Sequence, residues 1–543
     1  MKNITRVHEH QILTCILNKQ NLLLAFLALT FLSQAQVSLV KDINPGPNSG
    51  MGNEIVALNS LVFFAGDDGA NGFSLWTSDG TETNTLEYLL TGNETFKQPL
   101  NLYSYTSQNL IAFSAEVQTS GSELWFTNGL GDNFGNGNYN PSGDSDPGDF
   151  GQFNGFLVFP ATNSTTGREL AYSFPFGATT RVEDINIGPS SSNPSGFTQL
   201  SNQLFFSADN GVNGRELWAS FSIAPNAPDL FLDINSGNQG SNPSNFVLFN
   251  NKLYFTADDG VNGRELWVTD GTVAGTQLVL DLFPGGSGNP TGLTVFNNFL
   301  IFTANNPSTG IEVFKMTTAE NITLLKNINS GTASSAPFGY TVFNGELYFV
   351  ADDGNGVELW KSGGFPSNTN LLADINPTGE STPLNFVAYN GKLYFNADDG
   401  VNGRELWVTD GTSVGTQLVE DIWTGALSGN PQNLTVAGID LFFAANDGAS
   451  GVELYKYRDP TLSNNEFTLA PEISIFPNPT NESFQIDSNV IFDKITLYNI
   501  QGQEVKTFES AHTLYDISDL TIGIYMIHIE TDGQKVTHKL IKQ

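Results

Sequence analysis

The residues best suited to chemistry in this chain come in repeated sets. Asp258-Asp259-Gly260-Val261-Asn262-Gly263-Arg264-Glu265 and its near copy Asp398-Asp399-Gly400-Val401-Asn402-Gly403-Arg404-Glu405 put several side-chain oxygens into one tight turn. A hard cation such as calcium binds through clustered oxygens of this kind. Asp258, Asp259, Asn262, Glu265, Asp398, Asp399, Asn402 and Glu405 are therefore candidate calcium ligands. The competing reading is local. Asp and Asn in turns accept hydrogen bonds from their own backbone, and a buried Glu can satisfy loop amides or pair with Arg264. Gly260 also stands where a helix-flanked calcium loop would place a third oxygen ligand.

Other chemistry is excluded by composition. The histidines are His8, His10, His512, His528 and His538, and the only cysteine is Cys15, so the repeated region holds neither type. That removes Ser-His-Asp and Cys-His nucleophile systems and histidine-based zinc or copper sites from it. A carboxylate pair would suffice for a glycosidase. Here, however, the carboxylates recur from unit to unit, whereas catalysis needs one asymmetric constellation. A binding or adhesion module for glycan or protein therefore ranks above a carboxylate-dependent polysaccharide hydrolase or lyase.

These sets belong to a longer repeat. Aligned on a Glu-Leu-Trp core, the copies fall at Ser74, Glu123, Glu169, Glu216, Glu265, Glu312, Glu358, Glu405 and Glu453, and successive gaps run from 46 to 49 residues. One unit reads as four short strands. Around the eighth copy, Phe386 to Tyr389 and Leu393 to Asn396 flank the hairpin pair Asn390-Gly391, Glu405 to Thr409 follows the acidic turn, and Asp410-Gly411-Thr412 leads into Gln417 to Ile422. Four strands in such a period, without a helical segment, predict an all-β propeller of nine four-stranded blades over residues 36–458, with eight blades as the alternative. The third core position carries Trp76, Trp125, Trp218, Trp267, Trp360 and Trp407, with Phe314 and Tyr455 in other copies, large rings that fill the space between stacked sheets.

The ends of the repeat region predict a closed ring. The last copy stops after its third strand, and Val37 to Ile43 matches the fourth-strand sequences Asp184-Ile185-Asn186, Asp233-Ile234-Asn235 and Asp374-Ile375-Asn376. Pairing the first segment with the last unit removes an open sheet edge. The second unit is irregular, since Asp132 to Asp149 is rich in Gly, Asn and Asp where a fourth strand is due. It reads as a long loop, either a ligand loop or the mark of a degenerate blade.

Ahead of the ring, Lys2, Arg6 and Lys19 precede an apolar run from Leu22 to Leu32, and Ser33-Gln34-Ala35 offers a cleavage site, so residues 1–35 read as an export signal. The run is too short to span a membrane, and no integral membrane segment is expected after cleavage. With 39% hydrophobic and only 14% charged residues, the chain can bury large cores, and its 55 glycines favour many turns. The net charge is −34; the leader contributes +2 and residues 471–543 contribute −5, which leaves −31 on the ring segment. Such a surface repels nucleic acid and anionic lipid.

Residues 459–470 are polar and lack alternation, which predicts a linker. Alternating hydrophobics then predict a small Ig-like β-sandwich over residues 471–543. Phe476-Pro477-Asn478-Pro479, Leu497-Tyr498-Asn499-Ile500-Gln501-Gly502, Leu520-Thr521-Ile522-Gly523-Ile524-Tyr525 and Lys539 give this segment a close resemblance to the C-terminal sorting domain of the type IX secretion system of Bacteroidota. The resemblance implies the type IX secretion machinery as a partner, export across both membranes, and release or attachment at the cell surface. The repeats resemble the Glu-Leu-Trp-x-x-Asp-Gly-Thr (hyalin-like) repeats of secreted bacterial proteins, most closely at Glu265 to Thr272 and Glu405 to Thr412. That second resemblance implies no specific reaction.

Overall fold

The eighth unit shows how the sequence builds each blade. Leu384–Tyr389, Lys392–Asp398, Arg404–Thr409 and Gln417–Glu420 form one antiparallel sheet in that order. Its first hairpin turns at Asn390 and Gly391, with φ of 46° and 72°. Two successive left-handed residues match the right-handed twist of the flanking strands, which is why Asn-Gly stands there. The second strand, Leu393 to Ala397, is buried along its whole length because neighbouring sheets cover both of its faces.

The computed structural model describes residues 37–90, 94–118, 121–129, 133–135, 138–173, 181–221, 228–462, 473–488, 494–499, 503–508, 514–531 and 534–543. The export signal expected over residues 1–35 lies outside them, as does most of the linker expected over 459–470. Among the described residues the regular elements are strands, apart from two short 3-10 turns at Thr106–Gln108 and Pro366–Asn368. The chain divides after Asp459 into two compact units.

Among the described residues, the first unit contains nine four-stranded sets, the number expected from the repeat. The ninth is completed by the N-terminal strand Val37–Lys41, which runs antiparallel to Val452–Tyr457 with Val37 opposite Tyr457 and Leu39 opposite Tyr455. Blades one and two are joined into one sheet. The outer strand of blade one, Leu86–Glu87, covers only Trp76 and Thr77, so Ser74 is left to pair with Lys97 at the start of blade two. In blade two a fourth strand is present where a loop was expected, although it is only Asn133–Gly135, paired with Trp125 to Thr127. The degenerate-blade reading of that region is the one the pairing supports.

The tryptophans fill the space between blades. Trp407 packs with Leu359 and Ile375 of the preceding blade and with Phe395 of its own, and Trp360 packs likewise on Ile328. The isoleucine of each Asp-Ile-Asn segment is thus the partner of the next blade's ring. A second latch runs along the edge that carries the first hairpins. Tyr389 donates to the Ile439 carbonyl at 2.6 Å, and Lys252 pairs with Glu320 at 2.6 Å. At the end of the ring the same edge captures Asp459, which is 1% exposed and accepts from Tyr394 at 3.3 Å while lying 3.5 Å from Lys392. Asp459 therefore belongs to the ring rather than to the expected linker, because its carboxylate closes the latch between blades eight and nine.

The second unit is a sandwich of two small sheets. Ile473–Phe476, Ser483–Ser488 and Tyr515–Asp516 form one, and Glu504–Phe508, Lys494–Asn499, Gly523–Thr531 and Gln534–Lys542 form the other. Phe484, Ile495, Leu497, Tyr515, Ile517, Ile527, Ile529 and Leu540 make its core. Asn478 ties the Pro-Asn-Pro segment to the last strand, donating to the Lys539 carbonyl at 2.7 Å and accepting from the Ile541 N–H at 2.9 Å.

Candidate ligand-binding site

The acidic turns resolve into two separate devices. Asp258 Oδ1 accepts from the Gly260 N–H at 2.8 Å, and Asp259 Oδ1 accepts from Val261 and Asn262 at 2.9 and 2.7 Å. Asn262 Nδ2 then donates to Asp259 Oδ2 at 2.7 Å. The copy is the same: Asp398 takes Gly400, Asp399 takes Val401 and Asn402, and Asn402 Nδ2 returns to Asp399 at 2.8 Å. Burial raises the Asp259 and Asp399 carboxyls, but these donors outweigh it and leave both below their ordinary values.

Glu265 and Glu405 do not join those turns, which corrects their place in the candidate ligand sets. Both are fully buried and point at the chain that follows their blade. Glu265 accepts from the Leu282 N–H at 3.2 Å and the Gly288 N–H at 2.5 Å; Glu405 accepts from Ile422 at 3.0 Å, Trp423 at 3.4 Å and Gly429 at 2.5 Å. Adjacency in sequence misassigned them, because successive strand residues face opposite ways. Among the described residues, no group of three or more His, Cys, Asp and Glu side chains converges as metal ligands do.

The same clamp recurs at Glu123, Glu169, Glu216, Glu312, Glu358 and Glu453, each buried and each holding the segment that leads to the next blade. In blade two Glu123 takes the Tyr139 and Asn140 N–H groups and the Ser145 hydroxyl, so residues 139–145 of the irregular region are anchored as their counterparts are. Burial pushes all these carboxyls up, with the donors offsetting part of it; Glu265, Glu405 and Glu453 reach about 7.

Strand direction sorts charge between the two edges of the ring. The turns between second and third strands and the connections between blades open on one edge, and they carry Asp67, Asp68, Asp258, Asp259, Asp352, Asp353, Asp398, Asp399 and Asp447. Lys252, Lys315, Lys361, Lys392 and Lys456 lie toward the other. On the acidic edge the described arginines are half-buried and already committed. Arg404, for example, donates to the Thr382 carbonyl at 2.8 Å, to Asn396 Oδ1 at 3.0 Å and to the Ser381 carbonyl at 3.3 Å.

The repetition breaks on this edge where the ring closes. A pocket of about 380 Å³ opens between blades nine and one. Its walls come from Ser428 to Asn430, Gln432, Asn433, Ala444, Asn446 and Val452 on one side and Ser49 and Met51 to Asn53 on the other. Carboxamides and hydroxyls dominate, with Met51, Ala444 and Val452 as apolar floor, a lining suited to a polar ligand held by hydrogen bonds. Sequence reasoning missed this pocket. Its signal was Val452, beside the small Ala444, at the position where four other units carry Arg168, Arg215, Arg264 and Arg404.

Comparison with known proteins identifies the C-terminal unit. Residues 474–543 match the secretion system C-terminal sorting domain. The chain is therefore a secreted or cell-surface protein, and among the described residues no helix is long and apolar enough to cross a membrane. No curated protein matches the chain. Solved structures similar to it include PorZ, a surface component of the type IX secretion system of Porphyromonas gingivalis, at 11% identity and a TM-score of 0.34, covering 91% of this chain and 75% of that one. The β-propeller domain of the Trilobed protease from Pyrococcus furiosus aligns at 8% identity and a TM-score of 0.35, covering 69% of this chain and 98% of that one. A puromycin-hydrolyzing peptidase of Mycobacterium tuberculosis aligns at 10% identity and a TM-score of 0.35, covering 74% of this chain and 61% of that one.

Proposed function

We propose that this chain is an exported binding module, carried out by the type IX secretion machinery through its sorting domain and engaging a glycan or protein at the cell surface or beyond it. The observation that carries the reading is the closure pocket, an open, hydrogen-bonding cavity between blades nine and one. Around it the ring repeats exposed turns, with Val212 71%, Val261 84% and Val401 68% accessible, an arrangement suited to multivalent contact. The clamps employ the buried glutamates structurally, so they do not supply an acid pair facing a substrate.

The test is to expose the full chain to polysaccharides and to bacterial and host surface proteins, measuring both retention and new reducing or unsaturated ends. Retention without product is the expected result. Product formation would make the chain a polysaccharide hydrolase or lyase, and absence of any retention would sink the binding reading.

A further inference from the structure

The closure pocket occupies the place that arginine fills in other blades. Asn446 pairs with Val452 as Asp398 pairs with Arg404, and Ala444 pairs with Leu454 as Asn396 pairs with Leu406. The backbone acceptors correspond as well. Asn446 N–H reaches the Gly429 carbonyl at 2.9 Å as Asp398 N–H reaches Ser381 at 3.0 Å, and Asn430 N–H reaches the Arg404 carbonyl at 2.9 Å as Thr382 N–H reaches Val357 at 3.0 Å. Gly429 and Asn430 thus stand where Ser381 and Thr382 receive the Arg404 guanidinium.

Blade eight is not alone in filling this slot. Arg215 donates to the Asn193 carbonyl at 2.5 Å and to Ser207, Arg264 donates to Ser244 and Thr256, and Arg168 donates to the Asp146 carbonyl at 2.6 Å. Blades one, two, six and seven carry Phe73, Ser122, Ile311 and Val357 instead of arginine, and in two of them another group takes the space. In blade six the Tyr340 hydroxyl reaches Thr303 at 2.7 Å, and in blade one the Phe73 ring lies against Gly52. In blade nine Val452 and Ala444 are both small, and the space stays open as the pocket.

We propose that the pocket is a docking slot for the guanidinium group of an arginine-bearing segment of a partner polypeptide; this rests on the binding reading above and names its ligand class. Two carbonyl oxygens at the Gly429 and Asn430 positions and the Gln432 carboxamide repeat the acceptor types that hold Arg404. A planar fork of N–H donors suits such divergent acceptors better than a compact ammonium. Charge favours it too. Asp447 follows the lining residue Asn446, Asp67 donates its N–H to the Gly50 carbonyl at 2.8 Å, and buried Glu453 lies beneath Gly50.

The experiment measures binding of a fluorescent Gly-Gly-Arg-Gly-Gly peptide to the full chain, beside citrulline and lysine versions, in about 0.15 M salt, where charges more than roughly 8 Å apart are largely screened. Saturable one-to-one binding of the arginine peptide is expected, weakened about tenfold or more by citrulline and measurably by lysine. Val452→Arg combined with Ala444→Asn rebuilds the Arg404 and Asn396 pair inside blade nine and should abolish binding; Gln432→Ala, a milder change, should weaken it if the double variant fails to fold. Equal binding of all three peptides, or undiminished binding to folded variants, would overturn the slot. Loss of glycan retention in the double variant, with no arginine peptide bound, would overturn the guanidinium assignment while leaving the binding module intact. Failure of both peptide and surface retention would remove the module as well.

Discussion

Ser241 donates twice to one carboxylate: its hydroxyl reaches Glu216 Oε2 at 2.5 Å and its N–H reaches Oε1 at 2.6 Å. Ser145, Ser192, Ser335 and Ser381 give the same hydroxyl bond to Glu123, Glu169, Glu312 and Glu358. Gly288, Gly429 and Gly50 occupy that position opposite Glu265, Glu405 and Glu453, and those three glutamates are the ones pushed up to about 7. The hydroxyl therefore offsets part of the cost of burying each charge.

Ser241→Ala should destabilise the ring by about 1.5–3 kcal/mol, the usual worth of a hydrogen bond to a charged group. The reverse substitution, Gly429→Ser, should stabilise it. A Cβ at Gly429 would meet the clamped Glu405 carboxylate at 2.6 Å and Ile422 Cβ at 2.9 Å, so both must give way and part of the gain goes into that shift. Urea-unfolding midpoints compare the two, and a Gly429→Ser protein less stable than the parent would refute the transfer between blades.

The same groups set the pH dependence. Glu265, Glu405 and Glu453 have folded-state values near 7, above the ordinary carboxyl value of 4.5, so the folded chain holds their protons more tightly than the unfolded chain. Their burden is complete above pH 7 and is relieved as pH falls from about 7 toward 4.5. Asp259 and Asp399 act oppositely, since their lowered values give stability that is present above 3.8 and lost as pH falls below it. Thermal midpoints should therefore rise by several degrees from pH 8 to pH 5 and drop in stronger acid, and Glu453→Gln should flatten the upper limb. A midpoint that falls steadily from pH 8 to pH 5 would contradict the assignment.

Periodic features were legible in the sequence because the fold repeats them. The period, Asn390-Gly391, the tryptophans and the Val37–Lys41 strand all follow from patterns within one unit. What escaped depended on partners distant in sequence or on a missing group. Glu265 binds amides 17 and 23 residues downstream, so its role is invisible in the turn beside it. The closure pocket arises where Val452 stands in place of the arginine of four other blades, beside the small Ala444, and only the three-dimensional superposition of blades gives that absence meaning.

Calcium provides a direct check on the acidic turns. In each turn Asp258 Oδ1 or Asp398 Oδ1 already accepts the Gly260 or Gly400 N–H, and Glu265 and Glu405 are engaged elsewhere, which leaves a cation too few converging oxygens. Melting midpoints in millimolar calcium and in chelator should therefore coincide. Asp258→Ala should lower both by the same amount, through loss of the turn bond. A calcium-dependent rise that disappears in Asp258→Ala and Asp398→Ala would reinstate the cation site, since ligand binding to the folded state alone raises stability.

Removing residues 37–43 should open the ring. The segment supplies the outer strand of blade nine, with Val37, Ser38, Leu39 and Lys41 paired to Tyr457, Lys456, Tyr455 and Leu454. It also brings Ile43, whose N–H donates to Glu453 Oε2 at 3.0 Å and whose side chain packs with Trp76 and Leu454. Without it the Val452–Tyr457 edge is unpaired, Glu453 loses donors at its buried carboxylate, and apolar surface between blades nine and one meets water. An unprotected edge invites pairing between molecules. The shortened chain should melt at lower temperature and elute partly as dimers and larger species, whereas removal of the sorting unit, residues 460–543, should leave the ring monomeric. A 37–43 deletion that melts and elutes like the parent would mean that blade nine holds with three strands, against the closure described here.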